Sequence, residues 1–213
     1  MQSNSKLLFE KYAKQHFKPG MKVLEIGPDG RPSSYRKIIS DLSISWETVD
    51  VQKSPSLTYL ASSEYEFPIP SDSYDIVLSG GVIEHVRRVW VWIQEVARVC
   101  KTGGLVITIA PASWPYHEAP IDCWRIYPEA MKALYDWAAL EVQLCECDSL
   151  EDVGSNSRLP GRSLEWQSAR ERLAHRLLRP LGLPVECAFD TIGIGLKFNS
   201  QSHSGRTSPP THS

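Results

Sequence analysis

The sequence predicts an α/β domain, a mostly parallel sheet with helices on both faces. Three observations carry that expectation. Short apolar runs of strand length alternate with segments of helical period. A glycine-containing loop, GPDG at residues 27–30, follows the first apolar run and leads into a helix-like segment. An acid, Asp50, ends the second run about twenty residues past that loop.

The elements follow in order. Phe9, Ala13 and Phe17 recur at four-residue spacing, with Leu8 and Tyr12 beside them, so residues 4–17 read as a helix that Pro19-Gly20 ends. Residues 21–26 form the first strand. Ser33-Ser34 opens a helix to about residue 42, and residues 44–51 form the second strand. Residues 57–61 are a third strand and FPIPSDS is a proline-broken loop. YDIVLS, residues 74–79, is the fourth strand. Val89, Ile93, Val96 and Val99 share one face of a helix over residues 89–100. Thr102-Gly103-Gly104 is a tight turn before LVITIA, the fifth strand, whose β-branched residues suit a sheet.

PASWPYHEAPIDCWRIY, residues 111–127, is a loop on the side where such folds bind ligands, beyond the carboxyl ends of the strands. Pro128 and Glu129 open a helix over residues 128–137. Residues 141–146 and 189–198 are the last two strands. Between them, 161–183 is an inserted Arg-rich segment whose residues 163–178 form an amphipathic helix. Its Arg170, Arg172, Arg176 and Arg179 read as a solvated face. The Ser-, His-, Pro- and Thr-rich stretch 199–213 is expected to be a disordered tail. Residues 1–198 thus read as a single domain. The right-handed crossover rule places its helices on both faces of the sheet.

Composition narrows the function classes. The 213 residues are 42% hydrophobic and 23% charged, as in ordinary soluble globular proteins. A formal charge of -2 gives no general field to attract nucleic acid or anionic membrane, so neither is expected as a partner. The five cysteines, Cys100, Cys123, Cys145, Cys147 and Cys187, form no C-x-x-C pair. They read as reduced thiols of a cytoplasmic protein, and no metal is expected. The polar start MQSNSKLLFEKY has no signal-peptide core, and no apolar run is long enough to span a bilayer.

The opening loop raises the question of a cofactor. Gly27 lets a ligand approach the backbone, and a helix starting near Ser33 aims its free N–H groups at that space. Asp50 can accept from two ribose hydroxyls. A dinucleotide needs a second glycine where this chain has Asp29, whose charge would repel a pyrophosphate. S-adenosylmethionine carries an ammonium and a sulfonium, so Glu25 and Asp29 are acceptable beside it.

With those residues in view, the stretch from about residue 22 to 111 resembles the class I SAM-dependent methyltransferases, and the similarity continues more weakly to about residue 198. VLEIGPDG resembles the family's first motif, and TVD with Asp50 its acid-ended second strand. FPIPSDSYDIVLSGGVIEHV resembles the stretch through the fourth strand, in the branch with Glu-His after it. EVARVCKTGGLVITIAP resembles the helix, Gly-Gly turn and fifth strand. The resemblance implies a Rossmann-like, seven-stranded, mostly parallel sheet whose last strand is antiparallel. It implies S-adenosylmethionine as cofactor. Glu25, Gly27, Ser79 and Gly80 would lie along its methionine end, and Asp50 at its ribose. Two departures stand out. Asp29 and Arg31 replace the second and third glycines of the first motif. Ser62 and Ser63 stand where an acid usually meets the adenine, with Glu64 as a substitute.

The acceptor side offers further candidates. His85 reads either as a buried, hydrogen-bonded histidine or as a general base, since histidine titrates near working pH. Glu84 reads as a first-turn helix acid. In the 111–127 block, Trp114, Tyr116 and Trp124 are either plain packing or a stacking wall for a sugar or ring. His117 and Asp122 are candidates to take a proton from a hydroxyl, and Arg125 to hold an anionic group. Alternatively Asp122 and Arg125 pair with each other and fix the loop. The expectation is methyl transfer to a small-molecule or glycan acceptor at a hydroxyl oxygen, with His85 or His117 as base. A non-catalytic SAM-binding or scaffold module and an NAD enzyme are the alternatives. Whether the chain is a monomer or a homodimer is not written in its sequence.

Overall fold

The computed structural model describes residues 3–41, 43–55, 57–118, 120–150 and 189–198. The expected inserted helix over 163–178, its arginines, Cys187 and the tail 199–213 lie outside them.

Seven strands form one sheet in the order β3-β2-β1-β4-β5-β7-β6. They are β1 (Lys22–Ile26), β2 (Ser45–Asp50), β3 (Tyr59–Leu60), β4 (Tyr74–Gly80), β5 (Cys100–Ser113), β6 (Leu140–Asp148) and β7 (Phe189–Lys197). β1 to β5 pair in parallel, whereas β7 runs antiparallel to both of its neighbours. The sheet turns back on itself at β1, whose successors lie on opposite sides, β2 on one and β4 on the other. This switch point is where open α/β sheets leave a crevice at their carboxyl ends.

Both faces are covered because strand residues alternate in direction. Leu24, Val77, Val106 and Ala110 point to one face. There they meet α3 (Val89–Val99) and α4 (Pro128–Trp137), through Trp92, Ile93, Val96, Met131 and Tyr135. Val23, Ile76, Leu78, Ile107, Ile109, Ile192 and Ile194 point to the other. There they meet the N-terminal helical segment and α2 (Ser34–Ile38), through Leu8, Phe9, Ala13 and Tyr35.

Several elements differ from the sequence reading. The N-terminal segment is continuous but changes pitch. It runs as α1 (Ser3–Leu8), a π turn (Phe9–Ala13) and a 3-10 turn (Lys14–His16). α2 ends at Ile38 and β3 has only two residues. The glycine turn is absorbed into β5 as a bulge. Its partners on β4 advance two residues, Tyr74 to Ile76, while β5 advances from Cys100 to Leu105. Gly103 takes a φ of 81°, which favours a residue without Cβ. β5 also runs on through Pro111 to Ser113, because β7 pairs with it that far.

The N-terminal segment is fixed by polar contacts that no periodicity announces. The buried Asn4 donates to the Asp148 carbonyl at 3.0 Å and to Asp190 at 2.9 Å, and accepts from Leu150 N–H at 2.7 Å. Ser5 also donates to Asp190, at 3.2 Å. Asp190 starts β7 at the sheet end where β1 and β4 finish, so α1 docks beside the switch point.

Tyr135 is seated over glycines. A Cβ at Gly193 would come within 2.7 Å of Met131 Cγ and 2.9 Å of the Tyr135 hydroxyl oxygen, which donates to the Gly193 carbonyl. Gly193→Ala is therefore expected to overpack this contact and cost about 1–3 kcal/mol. Urea unfolding checks this, as a lower midpoint at unchanged slope.

Candidate active site

At the end of β1 the chain builds a buried acid. Ser33 caps α2 by accepting from Arg36 N–H at 3.1 Å, and its hydroxyl donates to Glu25. Trp46 Nε1 donates to the same carboxylate oxygen at 2.8 Å. The other oxygen, Oε1, is buried without a partner. Burial pushes the Glu25 carboxyl up to about 7, against the opposing hydrogen bonds from Ser33 and Trp46.

Gly27 follows with φ 67°, and a Cβ there would stand 2.6 Å from Val82 Cγ2. Glycine is thus required by both the backbone and its neighbour. Asp29 turns back onto α2, accepting from Ser34 N–H at 2.8 Å and from the Ser34 hydroxyl at 2.6 Å. The amide that a phosphate would use is already taken by a side chain of the loop.

The other expected cofactor residues spread along the same edge. Asp50 ends β2 and accepts from Gln52 N–H at 2.9 Å. Ser62 is exposed and lies 3.5 Å from Glu66. Ser79 is buried at the end of β4, with its hydroxyl unpartnered. A Cβ on Gly80 would strike the Tyr35 ring, so Tyr35 fills the space that glycine leaves.

Beyond β4 the chain makes a 3-10 turn over Ile83–His85. Glu84 is not a solvated dipole acid, as its sequence context suggests, but a buried group of 2% exposure. Its Oε2 has no partner. Burial pushes its carboxyl up to about 8, with Asp190 adding to the shift and Arg125 opposing it.

The 111–127 block folds onto this turn. Cys123 N–H donates to the Glu84 carbonyl at 2.7 Å, and Trp124 Nε1 to the Val86 carbonyl at 2.8 Å. The His85 Nδ1 lies at hydrogen-bond distance from the Ile121 carbonyl. The result brings the His85 and His117 rings together, edge to face, with centroids 5.1 Å apart.

The remaining block residues fall into two groups. Asp122 and Arg125 form a two-pronged pair at 2.5 and 2.6 Å, which pulls the Asp122 carboxyl down to about 2. Arg125 also donates to the Trp114 and Pro115 carbonyls, and Asp122 accepts from His117 N–H at 2.9 Å. These contacts favour the loop-fixing reading of the pair. Trp124 packs on the core below α3, which is the packing reading for that ring. Trp114 is half-buried, while Tyr116 is 71% exposed and donates to Glu118 at 2.9 Å.

Sequence reasoning missed the burial of Glu84, the roles of Tyr35 and Trp46, and the Asn4–Ser5–Asp190 contacts. The Glu-His dipeptide was the available signal for the first. The others join residues far apart in the chain and leave no local pattern.

A family model described as "Methyltransferase domain" matches residues 38–108. The match holds Asp50, Ser62, Ser79, Gly80, Glu84 and His85, and ends before the 111–127 block. An uncharacterized methyltransferase of Mycobacterium bovis is 32% identical over 99 residues, 41% of this chain and 38% of its own length. The chain therefore spans about two fifths of the length of the curated relatives it matches first. A SAM dependent methyltransferase from Archaeoglobus fulgidus superposes with a TM-score of 0.61 at 17% identity, covering 90% of this chain and 92% of its own. Phosphoethanolamine N-methyltransferase 2 of Haemonchus contortus, in complex with phosphomonomethylethanolamine and S-adenosylhomocysteine, gives 0.56 at 14% identity, covering 92% and 53%. The family match over residues 38–108 and the 99-residue relative are both to methyltransferases, and the superposed structures share the fold of this chain. Among the described residues, no helix is long and apolar enough to cross a membrane.

The raised Glu25 carboxyl makes stability depend on pH. Unfolded, it ionises near 4.5; folded, near 7. The folded state holds the extra proton between those values, so this contribution is fully present below about pH 4.5 and is lost as pH rises through about 7. Glu25→Gln is expected to flatten that slope, by on the order of 3 kcal/mol across the window. Parallel thermal unfolding of both proteins from about pH 5 to 8 checks this, and identical slopes would contradict it.

Proposed function

We propose that the chain transfers a methyl group from S-adenosylmethionine to a hydroxyl oxygen of a small-molecule or glycan acceptor. The observation that carries the reading is the meeting of two histidines, each on its own loop, beside the cofactor-side edge of the sheet. The side chains fit the cofactor. The buried, unpartnered oxygens of Glu25 and Ser79 suit a ligand with a cationic methionine end, and Asp50 suits ribose. Gly27, Gly80 and Ser62 would complete that edge. When bound, S-adenosylmethionine supplies an electrophilic methyl group on its sulfonium.

The chain's own residues do the rest. His85 and His117 stand at the acceptor side, where either ring's free nitrogen can draw the proton from a hydroxyl. Asp122, held by Arg125, orients His117 through its backbone N–H. Trp114 and Tyr116 line the approach for a ring or sugar face. Positioning and exclusion of water carry most of such a displacement. An NAD reading loses support, because Asp29 already occupies the helix-start amide that a pyrophosphate would need.

A second reading, a methyltransferase-fold module without transfer activity, is favoured by Val82 and Tyr35. These side chains fill the spaces left by Gly27 and Gly80.

Calorimetric titration separates the two. Under the first reading S-adenosylmethionine and S-adenosylhomocysteine bind, and Asp50→Ala weakens both about tenfold or more, as expected for loss of charge-assisted hydrogen bonds. Product release is then assayed over sugars and phenols, where His117→Gln lowers turnover about 100-fold at unchanged cofactor affinity. Absence of binding moves the module reading ahead.

A further inference from the structure

One carboxylate oxygen of Glu84 and one ring nitrogen each of His85 and His117 lie within 4.8 Å of one another. We infer that these three side chains form a binding site for a divalent transition-metal ion. Two imidazoles and one carboxylate are a donor set that zinc, iron(II) and their neighbours take, with positions left over for a substrate or water.

The surroundings are those of metal-binding histidines. The His85 Nδ1 is spent on the Ile121 carbonyl, which leaves the lone pair on Nε2, 3.9 Å from Glu84 Oε1. The His117 Nδ1 faces the Pro115 carbonyl at 3.2 Å and the Asp122 carboxylate at 3.3 Å. Both rings are therefore steered toward the tautomer that presents Nε2 to a ligand. Arg125 fixes Asp122 in turn, so the outer support is itself supported.

Glu84 supplies the independent argument. Its side chain is 3% exposed and its Oε2 has no partner. A buried carboxylate in that state needs a proton or a cation. A dication among the three donors meets the need and gives both imidazoles an acceptor for their lone pairs. Bonds of about 2.0–2.2 Å at tetrahedral angles place donors about 3.3–3.6 Å apart, so Glu84 and His85, now 3.9 Å apart, must draw in on binding. Glu84 and His85 share one turn and His117 lies on the clasped loop, so small side-chain rotations suffice.

Metal binding stands without the proposed methyl transfer, but its use rests on that reading. With an ion here both imidazoles would serve as ligands in place of the base proposed above, and the ion would lower the pKa of an acceptor hydroxyl, whose proton would pass to solvent.

Cobalt(II) titration of the chelator-stripped full chain, followed by visible absorption, tests the site. The expected result is a saturable cobalt spectrum at one ion per chain. His85→Gln, His117→Gln and Glu84→Gln should each weaken binding at least about tenfold, and Asp122→Asn about 10–100-fold through the supporting contact. His16→Gln, on the N-terminal 3-10 turn, should leave it unchanged. Circular dichroism confirms that each variant is folded, and His117→Gln, on a half-exposed loop, guards against a folding failure at Glu84. A missing spectrum, or one that survives His85→Gln and His117→Gln together, overturns the site. Chelation during the acceptor assay separates the two ideas. Transfer unaffected by chelation, with no cobalt spectrum, removes the metal and keeps the methyltransferase reading. A bound metal with no transfer to any hydroxyl does the reverse.

Discussion

Cys123 N–H, the Trp124 indole and the His85 imidazole each make a hydrogen bond that joins the segment after β4 to the segment after β5. The rest of the candidate site depends on that clasp. Two of the three bonds go to main-chain carbonyls of the 83–86 turn, so they hold its backbone regardless of side chain. His117 would otherwise hang on a loop interrupted by Pro111, Pro115 and Pro120. Arg125 stiffens the same loop from within, by gathering the Trp114 and Pro115 carbonyls and the Asp122 carboxylate around one guanidinium.

The edge beside this clasp is crowded with buried acids. Glu25, Glu84 and Asp190 lie near enough that each pushes the Tyr35 hydroxyl further from ionising, beyond what burial already does. Hydrogen bonds satisfy part of this group. Ser33 and Trp46 serve Glu25, and Asn4 and Ser5 serve Asp190. Glu25 and Glu84 each keep one buried carboxylate oxygen without a partner. The cationic groups proposed above would relieve the cost of leaving these oxygens buried and unpaired.

Most of the fold was legible because it rests on local pattern. The apolar runs at β1, β4 and β5 are buried on both faces, and the Val89–Val99 helix shows its buried stripe in spacing alone. Where the reading failed, a distant partner decided. β5 runs to Ser113 because β7 pairs with it, although Pro111 argues locally for a break. Tyr35 packs beside Gly80, a contact between residues 45 positions apart that no local pattern announces. Glu84 carries the same side chain whether solvated or buried, and only the fold of the 111–127 block tells which. The pairing of Asp122 with Arg125 was visible at three-residue spacing, but its two-pronged form was not.

β7 enters the sheet between β5 and β6, and Asn4 finds its partner Asp190 only across 186 positions of chain. Among the described strands, the one that joins β5 to β6 is thus the last in chain order. Until that strand arrives, β5 and β6 lack their common neighbour and α1 lacks its anchor. Contacts so distant in sequence cost the most chain entropy to close and form late. A nascent chain that has reached β6 leaves the edges of β5 and β6 that β7 will cover open, and its first helix stays undocked until the ribosome has delivered β7.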